Sequence, residues 1–267
     1  MFYAEARALY ANVYTQAQKT VESFQKESAN PYQMNMENEV DDGAIAQKVD
    51  LGVLEIPVRQ IVGVASTDPD MEYTFDFKPL ARTDSDFAEL WCQLYLGYLS
   101  DRGLTEPIVC IEYLGRFYVV DGRKRVSVLK AHGEGRVQAH VIRWIPERSN
   151  DTQVKQYYEF LNYFPKTGLY QVFLSDAADF QKLQRAMGLA PDQVWTDTDR
   201  YHFLFTFLGV ERAYLELFGE YASITAADAF VALLEEYDFS QLRAMQTLDL
   251  TKAMAEVLHF ERTGEAA

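Results

Sequence analysis

Cysteine is scarce in this sequence, which has only Cys92 and Cys110 among its 267 residues. Each lies in an apolar segment, so we predict two buried, reduced thiols rather than a disulfide-stabilised scaffold. No run of about 18 apolar residues is present, and a membrane-spanning helix is therefore not expected. The N-terminal residues MFYAEARALYANVY carry interspersed charges and no apolar core, which argues against a secretory signal. The sequence predicts a cytoplasmic protein without membrane contact.

Basic residues are also in the minority, with 25 Lys and Arg against 40 Asp and Glu and a net charge of −15. Because an acidic surface repels the phosphates of a polyanion, this balance disfavours extensive contact with DNA without excluding it. The cations are concentrated between Arg116 and Arg148, where eight Lys and Arg accompany three Asp and Glu. One positive segment on an acidic body favours a small anionic ligand over a long duplex.

Apolar and aromatic residues are abundant, at 48% and 14% of the chain, as is typical of a folded protein. Up to residue 148 the pattern mixes helix and strand periodicity, and beyond Pro146 it is helical. We expect an N-terminal helix and linker in 1–49, an α+β domain in 50–148 and a helical domain in 149–267.

Three local patterns predict a linker, a strand and a hairpin in the first 120 residues. The polar residues 28–43 indicate a linker or mobile loop. Residues Val53–Val64 predict one strand, which Pro57 places at a sheet edge. Two β-rich runs, Ile108–Tyr113 and Arg116–Val120, predict a hairpin that turns at Leu114 and Gly115.

The segment 115–133, GRFYVVDGRKRVSVLKAHG, combines a glycine-containing turn before a helix with a cluster of basic side chains. A short apolar strand is followed by a turn at Asp121 and Gly122, by three consecutive cations, and by a helix that ends near Gly133. Gly122 lets a ligand approach the backbone, and the first amides of the helix have no intrahelical partner. Such a helix start is suited to binding phosphate or another anion.

The side chains of this turn supply the candidate ligand contacts. Not all three cations can face one ligand, so we expect Arg123 together with either Lys124 or Arg125 to contact it. The alternative is a surface helix whose charges are solvated. The predicted phosphate-binding residues are Asp121, Gly122, Arg123, Lys124, Arg125 and Ser127.

A second polar cluster occurs in residues 195–203, WTDTDRYHF. Asp197, Asp199 and His202 have a spacing that could hold a divalent metal, but an N-cap cluster that starts a helix at about residue 200 explains them better. The sequence therefore predicts no metal site.

The motif segment and the residues before it resemble the ParB/sulfiredoxin-like domain, which is the N-terminal domain of chromosome-partitioning ParB proteins. The resemblance covers roughly residues 50–145, and the form DG(N/H)HRVSVA of uncharacterised bacterial ParB-like proteins is the most similar to residues 121–128. It implies an α+β fold in which a mixed sheet with helices is followed by an α-helical C-terminal domain. The matching positions are Gly103, Pro107, Ile108, Gly122, Arg125 and Gly133.

The branches of this family differ in chemistry at the motif. ParB proteins bind and hydrolyse CTP there and act as DNA clamps, but their Glu is replaced here by Arg123. Sulfiredoxins carry a catalytic Cys at the same position. Free-serine kinases have two histidines where this chain has Arg123 and Lys124. The resemblance thus implies a nucleotide, with Mg²⁺ as a candidate cofactor, and leaves catalysis open.

The leading hypothesis is a protein that binds a small phosphorylated ligand or nucleotide at Gly122–Arg125. One alternative is a nucleotide-dependent phosphotransferase or nuclease, for which Glu55, Asp68 and Glu106 are the candidate carboxylates. Another is an interaction protein with a vestigial site. The oligomeric state stays open, with a homo-oligomer among the candidates.

Overall fold

The computed structural model describes residues 2–66, 73–100, 106–170, 172–218 and 224–264, with side chains omitted at 177 and from 259 onward. The chain divides into two units, Met1–Glu147 and Arg148–Ala267. The first unit contains a mixed β-sheet with helices, and the described part of the second is built from helices.

The described strands of the first unit form one six-stranded sheet in the order β1-β3-β5-β4-β6-β2. The pairs β4–β5 and β2–β6 are antiparallel, whereas β1–β3, β3–β5 and β4–β6 are parallel. The strands are β1 (Met34–Asn35), β2 (Ile45–Pro57), β3 (Ile61–Val64), β4 (Ile108–Tyr113), β5 (Arg116–Asp121) and β6 (Arg136–Pro146).

The predicted hairpin is present as β4 and β5. Tyr113 pairs with Arg116, so the loop is the two residues Leu114 and Gly115, both with positive φ (50° and 74°). This two-residue loop suits the right-handed twist of the strands. Glu112 supports the turn because its carboxylate accepts the Gly115 amide at 2.8 Å and forms a buried ion pair with Arg143 of β6.

The prediction of one strand over Val53–Val64 is wrong. β2 begins earlier, at Ile45, and ends at Pro57, after which a 3₁₀ turn over Val58–Gln60 leads into β3. Pro57 has no N–H for a ladder, so the chain leaves the sheet edge at this residue. β2 does lie at an edge, as Pro57 predicts, and β3 lies on the other side of the hairpin.

The polar residues 28–43 are only partly a linker. They contain β1 and the short helix α2 (Met36–Glu39), which Asn35 caps by accepting the Glu37 amide at 3.1 Å. Met36 is buried against Tyr118 and Ile111 of the hairpin. Backbone pairing of β1 with β3 and the packing of Met36 thus tie this segment to the sheet.

Three helices of the first unit pack around Trp91, namely α1 (Phe2–Lys26), α3 (Asp86–Leu99) and α4 (Arg123–His132). Ser85 caps α3 through the Ala88 amide at 3.2 Å. The Trp91 ring contacts that of Tyr10, edge to face at 5.3 Å between centroids, and its Nε1 donates to Ser127 Oγ at 2.9 Å. These contacts fix the rotation of α4 about its axis.

Aromatic side chains fill the core of the second unit, with Phe203, Phe207 and Phe230 fully buried and in mutual contact. No helix in the described part of the chain is both long and apolar enough to cross a membrane. The helices are α5 (Thr152–Thr167), α6 (Ala177–Ala186), α7 (Asp197–Phe218), α8 (Ala226–Glu236), α9 (Phe239–Ala244) and α10 (Thr247–Gly264).

Candidate anion-binding site

The candidate site is the turn between β5 and α4. Gly122 has φ +102°, a conformation that other residues rarely adopt, and it lies at the N-cap of α4. A Cβ at this position would lie 2.7 Å from Cγ2 of Ile108. Glycine is therefore required here both by its backbone conformation and by the space available.

The amides of the first turn are free of intrahelical acceptors. The first helical hydrogen bond runs from the Val126 amide to the Gly122 carbonyl at 3.0 Å, and Gly122 has no side chain to cap the preceding amides. The amides of residues 123–125 therefore add partial positive charge at this end of α4.

Arg125 folds back over this turn rather than reaching outward. Its guanidinium donates to the carbonyls of Glu106 (2.7 Å) and Pro107 (3.0 Å) and to Asp121 Oδ2 (2.6 Å). Only 14% of the Arg125 side chain is exposed, against 71% for Asp121. Arg125 therefore ties the start of α4 to the segment that leads into β4, and most of its hydrogen-bonding capacity is used within the protein.

Arg123 and Lys124 diverge from the helix start. Arg123 Nη2 donates to the Ser66 carbonyl, just beyond β3, at 3.3 Å. The Lys124 ammonium lies 4.7 Å from the ring centroid of Phe87 in α3. Both side chains are half-buried and neither forms an ion pair within the described residues. Among the described residues, no carboxylate therefore neutralises either charge near the first turn of α4.

Ser127 does not face this turn. It is 1% exposed and accepts the Trp91 indole N–H. The predicted site includes Ser127 because it is close in sequence to the turn, but its side chain is buried against Trp91 of α3.

The three candidate carboxylates have different positions. Glu55 lies on β2 and forms an ion pair with Arg136 of β6. In the sheet, β6 and β4 lie between β2 and β5, the strand that ends at Asp121. Three strand spacings place Glu55 about 14 Å from that strand. Glu106 is exposed and contacts Arg125 through its carbonyl. Asp68, like Gly103 of the motif, lies outside the described residues.

The residues 195–203 form a helix cap. Thr196 donates its amide and hydroxyl to Asp199 Oδ2 (2.8 and 2.7 Å), and its hydroxyl accepts the Asp199 amide (3.2 Å). Asp197 forms an ion pair with Arg200 at 2.8 Å. Across the described residues, no group of three or more His, Cys, Asp or Glu is placed to hold a metal ion.

The predicted site leaves out Lys130, which has an unusual environment in the last turn of α4. Its Nζ donates to the Ile61 carbonyl at 2.7 Å and lies 4.8 Å from the Phe77 ring centroid. Burial lowers the pKa of Lys130 to about 8, against a small opposing effect of Asp76. The available sequence signal is its spacing of four residues from Val126, which places Lys130 on the buried face of the helix.

A search of family models finds no match to this chain, and a search of curated proteins finds none either. The similarity to the ParB/sulfiredoxin-like domain therefore rests on the motif residues of the sequence itself.

Proposed function

We propose that this chain binds a phosphate-bearing ligand of the nucleotide class at the first turn of α4. The observation that carries the proposal is a helix start without a side-chain cap, opened by Gly122 and flanked by the charges of Arg123 and Lys124. Free amides and adjacent cations are the two contributions that phosphate sites on helices combine.

The residues of the turn have separate roles in this proposal. Arg123 and Lys124 supply the cationic contacts, because their described partners are one carbonyl and one aromatic ring. Arg125 holds the turn in shape through Glu106, Pro107 and Asp121. Ser127 stabilises the packing of α4 by accepting the Trp91 indole N–H, and it does not contact the ligand.

We infer from the same residues that 50–148 form a ParB/sulfiredoxin-like domain followed by a helical domain. The hairpin β4–β5 runs directly into Gly122, and α4 ends at Gly133 with φ +85°, as the motif implies. Binding, rather than phosphotransfer or nuclease chemistry, is the function we propose. Of the described candidate carboxylates, Glu55 lies three strand spacings from the turn, and Glu106 is exposed and contacts Arg125 through its backbone carbonyl.

Calorimetric titration with CTP, ATP and ADP in the presence of Mg²⁺ tests this function. We expect at least one nucleotide to bind, and Arg123→Met with Lys124→Met to weaken it at least tenfold. Lys19→Met, which removes an exposed cation from α1, is the matched control and should leave the affinity unchanged. Absence of binding by all three nucleotides, or equal binding by the double variant, would refute the proposal.

A further inference from the structure

A cavity of about 340 Å³ lies between α1, the segment 76–78 and α4. Its volume is in the range of small-molecule sites. The α4 residues that line it are Ser127, Lys130 and Ala131, so it lies beyond the first turn of α4. Lys130 follows Arg123 by seven residues, or roughly 10 Å along the helix. The lining includes Leu9, Asn12, Val13, Gln16, Phe77 and Lys130.

The Lys130 ammonium has donor capacity that the described residues do not fill. An ammonium group carries three N–H donors, and the one described acceptor of Lys130 is the Ile61 carbonyl. The Phe77 ring stabilises the charge from one side without accepting a conventional hydrogen bond. A ligand oxygen in the cavity would supply a further acceptor to this desolvated cation.

The segment that carries Phe77 is held in a strained conformation. Phe77 has φ +67°, which is rare for a bulky side chain, yet its ring is only 1% exposed. The Phe77 amide donates to the Thr74 carbonyl, and the Thr74 amide donates to the Lys78 carbonyl, both at 2.9 Å. This turn holds the Phe77 ring next to Lys130, on one side of the cavity.

The charged side chains that line the cavity are Asp76, Lys78 and Lys130, and together they carry one net positive charge. Asp76 accepts hydrogen bonds from Lys78 and from the Thr74 hydroxyl. Burial opposes ionisation of Asp76, but these hydrogen bonds together outweigh it and hold the pKa of Asp76 below its usual value. Asp76 and Lys78 therefore neutralise each other, and Lys130 gives the cavity a single net positive charge.

We propose that this cavity is a second ligand site, which binds a small organic carboxylate with an apolar body. The carboxylate accepts hydrogen bonds from Lys130, and the body packs against Leu9, Val13 and Phe77. A monoanion matches the single net charge, whereas a phosphate dianion would leave one negative charge in the cavity without a partner. Asn12 and Gln16, exposed on α1, border the cavity with neutral amides.

Ligand-detected NMR and calorimetry with benzoate and its neutral isostere benzamide test the site. We expect benzoate to bind the full chain at pH 7 at least tenfold more tightly than benzamide. Lys130→Met should abolish this difference, and Lys19→Met should preserve it. Equal affinity for benzoate and benzamide, or tighter binding of inorganic phosphate in competition with benzoate, would overturn the assignment.

Two further variants keep the test decisive if Lys130→Met fails to fold. Gln16→Trp alters an exposed position and places a large ring at the border of the cavity, so we expect at least tenfold weaker benzoate binding from a folded protein. The Arg123→Met and Lys124→Met pair should bind benzoate normally even if nucleotide binding is lost. Benzoate binding unaffected by Gln16→Trp would contradict the proposed location.

Discussion

Gly122 and Arg125 depend on each other for space, since a Cβ on residue 122 would lie 3.1 Å from both Nε and Nη2 of Arg125. A side chain at residue 122 would crowd the guanidinium and force it to shift. Residue 122 in turn keeps its left-handed conformation within a turn that Arg125 ties to Glu106 and Pro107. The first turn of α4 is thus shaped by a glycine and an arginine acting together.

Replacing Gly122 with alanine should destabilise the first unit by about 3 kcal/mol, because strain at positive φ adds to the clash with Ile108 and Arg125. Gly133→Ala is the matched control, since Gly133 has φ +85° but a Cβ added there would have no atom within 4 Å. That variant should lose about 1 kcal/mol, from backbone strain alone. Urea denaturation measures both, and equal losses would contradict the steric argument.

Arg125→Lys should destabilise the protein by about 2 kcal/mol although the charge is kept, because one ammonium cannot reproduce the forked contacts to Glu106, Pro107 and Asp121. Thermal unfolding with hydrogen exchange over β4 provides the measurement. Arg243→Lys, at an exposed position of α9, controls for the chemistry of the substitution. Wild-type stability of Arg125→Lys would show that the charge alone is sufficient.

Ser127→Ala should cost about 1–2 kcal/mol by leaving the buried Trp91 N–H without its acceptor, and it should leave nucleotide affinity unchanged within twofold. A double-mutant cycle with Trp91→Phe isolates this hydrogen bond. A large loss of nucleotide affinity in Ser127→Ala, at unchanged stability, would show that Ser127 contacts the ligand.

Lys130 should contribute to the stability of the first unit a term that rises with pH above about 8. Its folded pKa, about 8, is below the usual 10.5. Below pH 8 both the folded and unfolded states hold the proton, and the cost of burying the charge is fully present. Between these two values only the unfolded state holds it, so the free energy of unfolding increases, by up to about 3 kcal/mol. Urea denaturation at pH 7 to 10 should show a slope that Lys130→Met lacks; parallel curves for the two proteins would disprove this.

Benzoate affinity should change in the opposite sense, falling as pH rises through the pKa of Lys130. The charged side chains that line the cavity besides Lys130 are Asp76 and Lys78, and α1 contributes only uncharged residues there. Calorimetry in buffers of different ionisation enthalpy should detect proton uptake on binding above pH 8. Affinity that is constant from pH 7 to 10 would separate benzoate binding from Lys130.

The sequence predicts those parts of the fold that depend on local chemistry. The turn at Leu114 and Gly115 and the turn at Gly122 are both set by residues a few positions apart, and the structure contains both of them. Glu55 illustrates the limit, since its distance from the turn follows from strand order, which no local pattern encodes.

Within the candidate site, too, local sequence predicts the residue types, whereas their contacts depend on distant segments. Three consecutive cations indicate positive charge, but their partners come from distant segments, at Ser66, Phe87 and Glu106. A pattern in one segment therefore cannot separate the cation that shapes the turn from the two that remain accessible. The cavity near Lys130 is formed by three separate segments, and no single stretch of sequence predicts it for the same reason.

The 13-residue strand β2 has a consequence for the behaviour of the protein at high concentration. A long strand at the end of a sheet offers its free backbone groups to other chains, which promotes fibrillar aggregation. In β2 a bulge between Asp50 and Val53 interrupts the regular ladder, and Lys48 and Glu55 place charges along the strand. Pro57 removes a donor at its end. These features should keep copies of the sheet from polymerising edge to edge.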